Sequence, residues 1–196
     1  MEGNNATAEL KNNLTGKPYD WSAHEFKQPE KLIKTMLQMS QFNKSDQYAE
    51  YMTFVLDLQN AVKSKPISAS KEKIDNCQNP YFTKLRGLLE KLKTLAEEVK
   101  LAPRSQTRFG NLAFKDFANQ AFALGDAFFD DYLDERRKGA KVELSCYFSD
   151  SFGSPMRIDY GTGHEMNFII LLMSLVKLGF FEKDDYEILV RGIFYE

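Results

Sequence analysis

The sequence predicts an all-α fold, a single multi-helix domain of about six or seven helices. Three observations lead there. Apolar residues recur at three- and four-residue spacing over several long stretches, the pattern of a helix with one buried face. No stretch alternates apolar and polar residues as a half-buried strand does, and no segment repeats at a fixed period. The 196 residues are 43% hydrophobic and 28% charged, enough for one domain with a sizeable core. Sixteen Phe and nine Tyr against one Trp make that core aromatic.

The elements follow in order. Residues 1–25 are polar without an apolar period, so a disordered leader is expected there and a helical domain over residues 26–196. Leu32, Met36 and Met39 fit a short helix with Pro29 in its first turn. Ser45 is placed to cap a helix running to about Lys63, whose Tyr48, Tyr51, Met52, Val55, Leu58 and Val62 share a face. Pro66 ends that region, because proline cannot continue the hydrogen-bond ladder. After Pro80, the residues Tyr81, Leu85, Leu88, Leu92, Leu95 and Val99 form a seam. It is short for a coiled coil, so it reads as bundle packing, with a dimer zipper as the alternative.

Pro103 closes this helix, and Gly110 with Asn111 makes a turn. Phe114, Phe117, Ala121, Leu124, Phe128 and Tyr132 then give the next stripe. "VELSCYFSDSFGSP" reads as a helix ended by a loop rather than as a strand. The apolar run Phe168 to Phe181 is too short for a membrane span and is interrupted by Ser174 and Lys177, so it reads as a buried helix with Gly179 past its end. Asp184 to Glu187 opens a last helix, still running at Glu196.

Composition narrows the function classes. A formal net charge of −2 gives no electrostatic case for nucleic acid. The first residues lack a charged start followed by an apolar stretch, so no signal peptide is read. Two distant cysteines, Cys77 and Cys146, without a CxxC, fit a reduced intracellular protein. The expected compartment is the cytoplasm, with the nucleus as a second location and no membrane partner.

The chemistry concentrates in "RIDYGTGHE", Arg157 to Glu165. A zinc protease needs a second histidine four residues after the first, and Phe168 stands there instead. No third glycine makes a dinucleotide fingerprint, no lysine makes a P-loop, and no G-x-S-x-G serves a serine nucleophile. Two readings remain. Thr162 and Glu165 have the S/T-x-x-E spacing of a capping box, which needs no function. Alternatively, Gly161 and Gly163 at a helix start leave N–H groups free for an anion, and Arg157 adds a bidentate donor.

Two stretches together, "RFGNLAFKDF" and "RIDYGTGHEMNF", resemble the phosphotyrosyl phosphatase activator family, the activators of protein phosphatase 2A. "HEFKQPEKLI" and the segment Phe42 to Lys65 resemble its lead-in and first core helix, so the resemblance runs from about His24 to Glu196. It implies an all-α fold with a cleft, binding of ATP with Mg²⁺, and docking onto the catalytic and scaffold subunits of the phosphatase. It also implies peptidyl-prolyl cis-trans isomerase activity on a proline-containing segment. By the same resemblance Arg157, Thr162 and Gly163 contact ATP. Asp159, Tyr160, Gly161, His164 and Glu165 belong to the surrounding cleft, and Arg108, Gly110 and Asn111 support it. No catalytic residue is assigned. Family members continue past the position of Glu196 with a "WGLDD"-like motif that binds Mg²⁺. The chain lacks that motif, so the expected domain is incomplete at its C-terminus. A non-catalytic phosphatase-binding module, or an inactive truncated form, is the alternative function.

Overall fold

The computed structural model describes residues 24–103 and 110–195. Eight α-helices order these residues: α1 (Met36–Phe42), α2 (Asp46–Val62), α3 (Lys71–Asp75), α4 (Pro80–Glu98), α5 (Ala113–Tyr132), α6 (Lys141–Asp150), α7 (Thr162–Lys177) and α8 (Tyr186–Leu189). Among the described residues no strand forms beyond one isolated bridge, Ser154 to Asp159. None of their helices is long and apolar enough to cross a membrane. The all-α expectation is met. Most of the leader, residues 1–23, lies outside the described residues.

The chain divides into two compact units. One holds Pro29–Asn76 and Leu172–Tyr195, the other Phe26–Gln28 and Cys77–Leu171.

In the first unit, Pro29 lies ahead of α1 and outside any helix. The start of α1 is set later by Thr35, whose Oγ1 accepts from Gln38 N at 3.2 Å while Gln38 Oε1 accepts from Thr35 N at 3.0 Å. Ser45 caps α2 as expected, its Oγ accepting from Tyr48 N at 3.2 Å. The buried face of α2 is Tyr51, Phe54 and Leu58. Phe54 stands outside the expected stripe because Tyr186 of α8 packs on it edge to face, with ring centroids 5.3 Å apart. Tyr48, Met52, Val55 and Val62 flank this line and stay half-buried. Lys177 Nζ reaches Glu50 Oε1 at 2.7 Å, tying the end of α7 to α2. Gly179, at φ +78°, then lets Phe180 N donate back to Leu175 O at 3.1 Å, closing the helix as predicted.

In the second unit, Asn79 Oδ1 accepts from Tyr81 N at 2.9 Å and Pro80 opens α4. The predicted seam is buried from Leu85 through Leu95, joined by Phe82, and α4 packs on α5. The stripe of α5 departs from expectation: its buried line is Ala113, Ala118, Ala121, Gly125, Phe129 and Tyr132, while Phe114, Phe117, Leu124 and Phe128 flank it. The reason is close packing. A Cβ at Gly125 would sit 2.1 Å from Phe148 Cε1 on α6, so small residues must face inward there. Phe129 meets the Phe148 ring edge to face at 6.0 Å, and Lys141 Nζ clips α6 to α5 through Asp130 at 2.7 Å and Asp126 at 3.0 Å.

Gly125→Ala therefore forces Phe148 or the helix to shift, and should destabilise the chain by about 1–3 kcal/mol. Urea melts of the two proteins measure this; an unchanged midpoint would mean the ring swings aside without loss.

Candidate functional site

The loop between α6 and α7 builds the site. Ser154 N donates to Asp159 O at 3.0 Å and Ile158 N donates to Ser154 O at 2.7 Å, making a tight reversal. Inside it Ile158 has φ +53°. A β-branched residue in that region is strained, by about 1–3 kcal/mol, so its surroundings must hold it. Gly110 does so from across the unit: a Cβ there would lie 2.6 Å from Ile158 Cγ2 and 2.8 Å from Ile158 O. Gly153, at φ +103°, backs the other side, where a Cβ would meet Asp159 O at 2.7 Å. The two stretches singled out in the sequence, around Gly110 and around Asp159, are thus packed together.

Asn111 has a different task from its neighbours. Its Oδ1 accepts from Ala102 N at 2.9 Å and from Ala113 N at 3.0 Å, and its Nδ2 donates to Ala102 O at 3.0 Å. It staples the chain before α5 to the start of that helix. Arg108 lies outside the described residues.

Arg157 projects to solvent, its side chain 67% exposed, and Nε donates to Asp159 Oδ2 at 2.7 Å. This bond holds the Asp159 carboxyl below the usual aspartate value and raises Arg157 in turn. Tyr160 stacks on the His164 ring, with centroids 5.4 Å apart and planes 22° off parallel. His164 Nδ1 faces Asp150 O. A carbonyl only accepts, so Nδ1 carries a proton toward it. Burial raises the Tyr160 phenol, and the neighbouring Glu165 charge adds to this.

The helix begins one residue ahead of the cap expected at Thr162. Thr162 is already the first residue of α7, and His164 N donates to Gly161 O at 2.8 Å, so the ladder starts one residue earlier. Glu165 turns to Tyr160. The N–H groups of Thr162 and Gly163 precede this first bond of the sixteen-residue helix and have no carbonyl of an earlier turn to meet. A Cβ added at Gly161 or Gly163 would meet no atom within 4 Å, so the approach to these groups is open.

These residues fit a polyphosphate: open backbone donors at a helix start, with an exposed guanidinium in the same short loop. They do not fit a metal of their own. Among the described residues no three His, Cys, Asp or Glu side chains gather as a metal site. Sequence reasoning missed Gly153 and Ile158. The glycine of "FGSP" was a visible turn signal for the first; nothing local signals a left-handed isoleucine.

An all-α protein with a glycine-flanked helix start fed by a strained loop is the class defined so far. Comparison with known proteins makes it specific. The profile of the family described as "Phosphotyrosyl phosphate activator (PTPA) protein" matches residues 29–196. A Schizosaccharomyces pombe protein named serine/threonine-protein phosphatase 2A activator 2 is 35% identical over 153 residues, covering 78% of this chain and 42% of that protein. A Candida albicans protein of the same name is 35% identical over 168 residues, 85% of this chain and 44% of that one. The crystal structure of the PP2A phosphatase activator Ypa1 superposes with a TM-score of 0.72 at 22% identity, over 89% of this chain and 56% of that one, and so shares the fold. The chain belongs to the phosphotyrosyl phosphatase activator family. It spans less than half the length of these two curated relatives.

Because Asp159 is held low in the folded chain, its contribution to stability is present above the ordinary value of 3.8 and is lost as pH falls through the folded value. An NMR titration of the Asp159 carboxyl should give a midpoint below 3.8 that returns toward it in Arg157→Gln. Equal midpoints in both proteins would show that the pair does not persist in solution.

Proposed function

We propose that this chain is an activator of serine/threonine protein phosphatase 2A, docking on the catalytic and scaffold subunits, and that it isomerises an X–Pro bond with ATP bound. Two things support the reading. The relatives are named as phosphatase 2A activators. The close approach of Gly110 to Ile158 sets the second motif against the loop that feeds α7, and this observation carries the site.

In this reading the N–H groups of Thr162 and Gly163 and the guanidinium of Arg157 hold the phosphates. Bound there, ATP supplies a concentrated negative charge beside the loop. Asp159 orients Arg157 through its Nε and leaves the terminal nitrogens of the fork for the ligand. Tyr160, 59% exposed, offers a proline ring an aromatic face. Its raised phenol stays protonated and so remains a donor. Rotation about an X–Pro amide is slow because the bond has partial double-bond character, and it needs neither a nucleophile nor hydrolysis. A surface that binds the twisted amide better than the planar one suffices. The cytoplasm, and the nucleus beside it, are the compartments this function requires.

Isomerisation of a proline peptide is measured with and without ATP, alongside capture of the phosphatase subunits. No rate above background at micromolar protein rejects the enzyme reading; capture without isomerisation leaves a binding module. Arg157→Ala should weaken ATP binding about tenfold, the worth of one charge-assisted hydrogen bond, with little change in melting temperature. Parallel losses of affinity and melting temperature would make Arg157 structural.

A further inference from the structure

A polar cleft lies within the first unit. It has a volume of about 400 Å³ and is formed by the end of α2, the chain around α3, and the turn that starts α8. Three lysines line it: Lys65, Lys73 and Lys183. Each is about half exposed, and each has one hydrogen bond: Lys65 to Glu187 Oε2 at 2.7 Å, Lys73 to Asp184 O at 2.6 Å, and Lys183 to Asp57 Oδ2 at 3.3 Å. An ammonium has three N–H donors, so each retains donors beyond its printed bond.

Two of the three acids, Glu187 and Asp57, are engaged by lysines. Glu187 is 12% exposed and has both oxygens occupied, Oε2 by Lys65 and Oε1 by the Ser70 hydroxyl at 2.7 Å. Lys65 and Ser70 together hold its carboxyl below the usual glutamate range. Asp57 accepts from Lys183.

The decisive observation is a buried donor without an acceptor. Tyr186 lines the cleft at 1% exposure, and its hydroxyl has no hydrogen-bond partner among the described residues. Burial, with the Asp57 charge behind it, pushes this phenol up to about 12, so it carries its proton at neutral pH. Arg191 repeats the pattern. It donates from one terminal nitrogen to Lys65 O at 3.1 Å, while its buried Nε finds no acceptor among the described residues. Buried donors left unpaired cost stability, and in native proteins they call for an explanation.

We propose that this cleft binds a phosphoryl group, through the free ammonium donors of Lys65, Lys73 and Lys183 and the hydroxyl of Tyr186. The buried atoms left unpaired, the Tyr186 hydroxyl and Arg191 Nε, are donors, which favours an oxygen-rich acceptor over a cation. The three lining lysines are matched by Asp57, Asp184 and Glu187, so the cleft has no surplus charge to draw a nucleic acid from a distance. Recognition is by donors at short range. A phosphorylated side chain of a peptide and free phosphate share this chemistry.

The test uses the 196-residue chain in amide-detected NMR at constant ionic strength. It is titrated with inorganic phosphate, a phosphoserine peptide, and the same peptide unphosphorylated. The expected result is saturable shifts in residues 57–73 and 183–191 with phosphate and the phosphopeptide, and none with the plain peptide. Tighter binding of the phosphopeptide assigns the site to a protein ligand; equal binding assigns it to the free ion. Tyr186→Phe and Lys73→Gln should each weaken binding at least fivefold. Tyr186→Phe removes an orphaned hydroxyl and keeps the ring, so it should melt no lower than the parent. Shifts confined to residues 157–165, shifts reproduced by chloride, or binding unchanged in both variants would overturn the proposal.

Discussion

The contact between Gly110 and Ile158 governs the rest of the site. Ile158 holds a backbone conformation that a β-branched residue avoids, and it holds it because the turn after it must deliver Asp159, Tyr160 and Gly161 to the start of α7. Only a residue without a Cβ can press on it from the far side. Asn111, next in sequence, fixes the position of that glycine by bonding backbone on both sides of the segment 104–109. The strain is local, and its support comes from about fifty residues earlier in the chain, in keeping with strain being maintained by surroundings that over-determine it.

The two units solve the problem of burying aromatic side chains in different ways. In one, Phe54 and Tyr186 pack ring on ring, and ion pairs close the periphery at Glu50, Asp57 and Glu187. In the other, a line of small residues on α5 brings α6 close enough for Phe148 to lie over Gly125. Period alone distinguishes neither arrangement. That accounts for where sequence reading held and where it slipped. Helix identity and the caps at Ser45 and Gly179 were legible, because period, cap chemistry and glycine geometry are local. The buried line of α5 was not: a helix bearing both an aromatic and a small-residue face can bury either, and its neighbour decides.

The candidate site divides along the same line. Residue types in "RIDYGTGHE" announced a helix start with glycines and an arginine beside it, and Thr162 does open α7. Their pairings were out of reach. Glu165 was expected on Thr162 and stands beside Tyr160; His164 faces a backbone carbonyl of α6; Arg157 is engaged by Asp159. Each of these depends on where the loop folds back, and so on Gly110 and Gly153.

The Arg157–Asp159 pair has one more consequence. The carboxylate is tethered two residues away, so it acts as a resident competitor whose local concentration no solute in solution matches. A ligand on the terminal nitrogens shares the guanidinium charge with a carboxylate on Nε that never diffuses off. Singly charged solutes such as acetate or chloride have little advantage over it, whereas a chelating polyanion that also grips the helix amides does. In the proposed reading the pair would therefore act as a threshold filter, favouring a chelating polyanion over the small anions of a cell fluid.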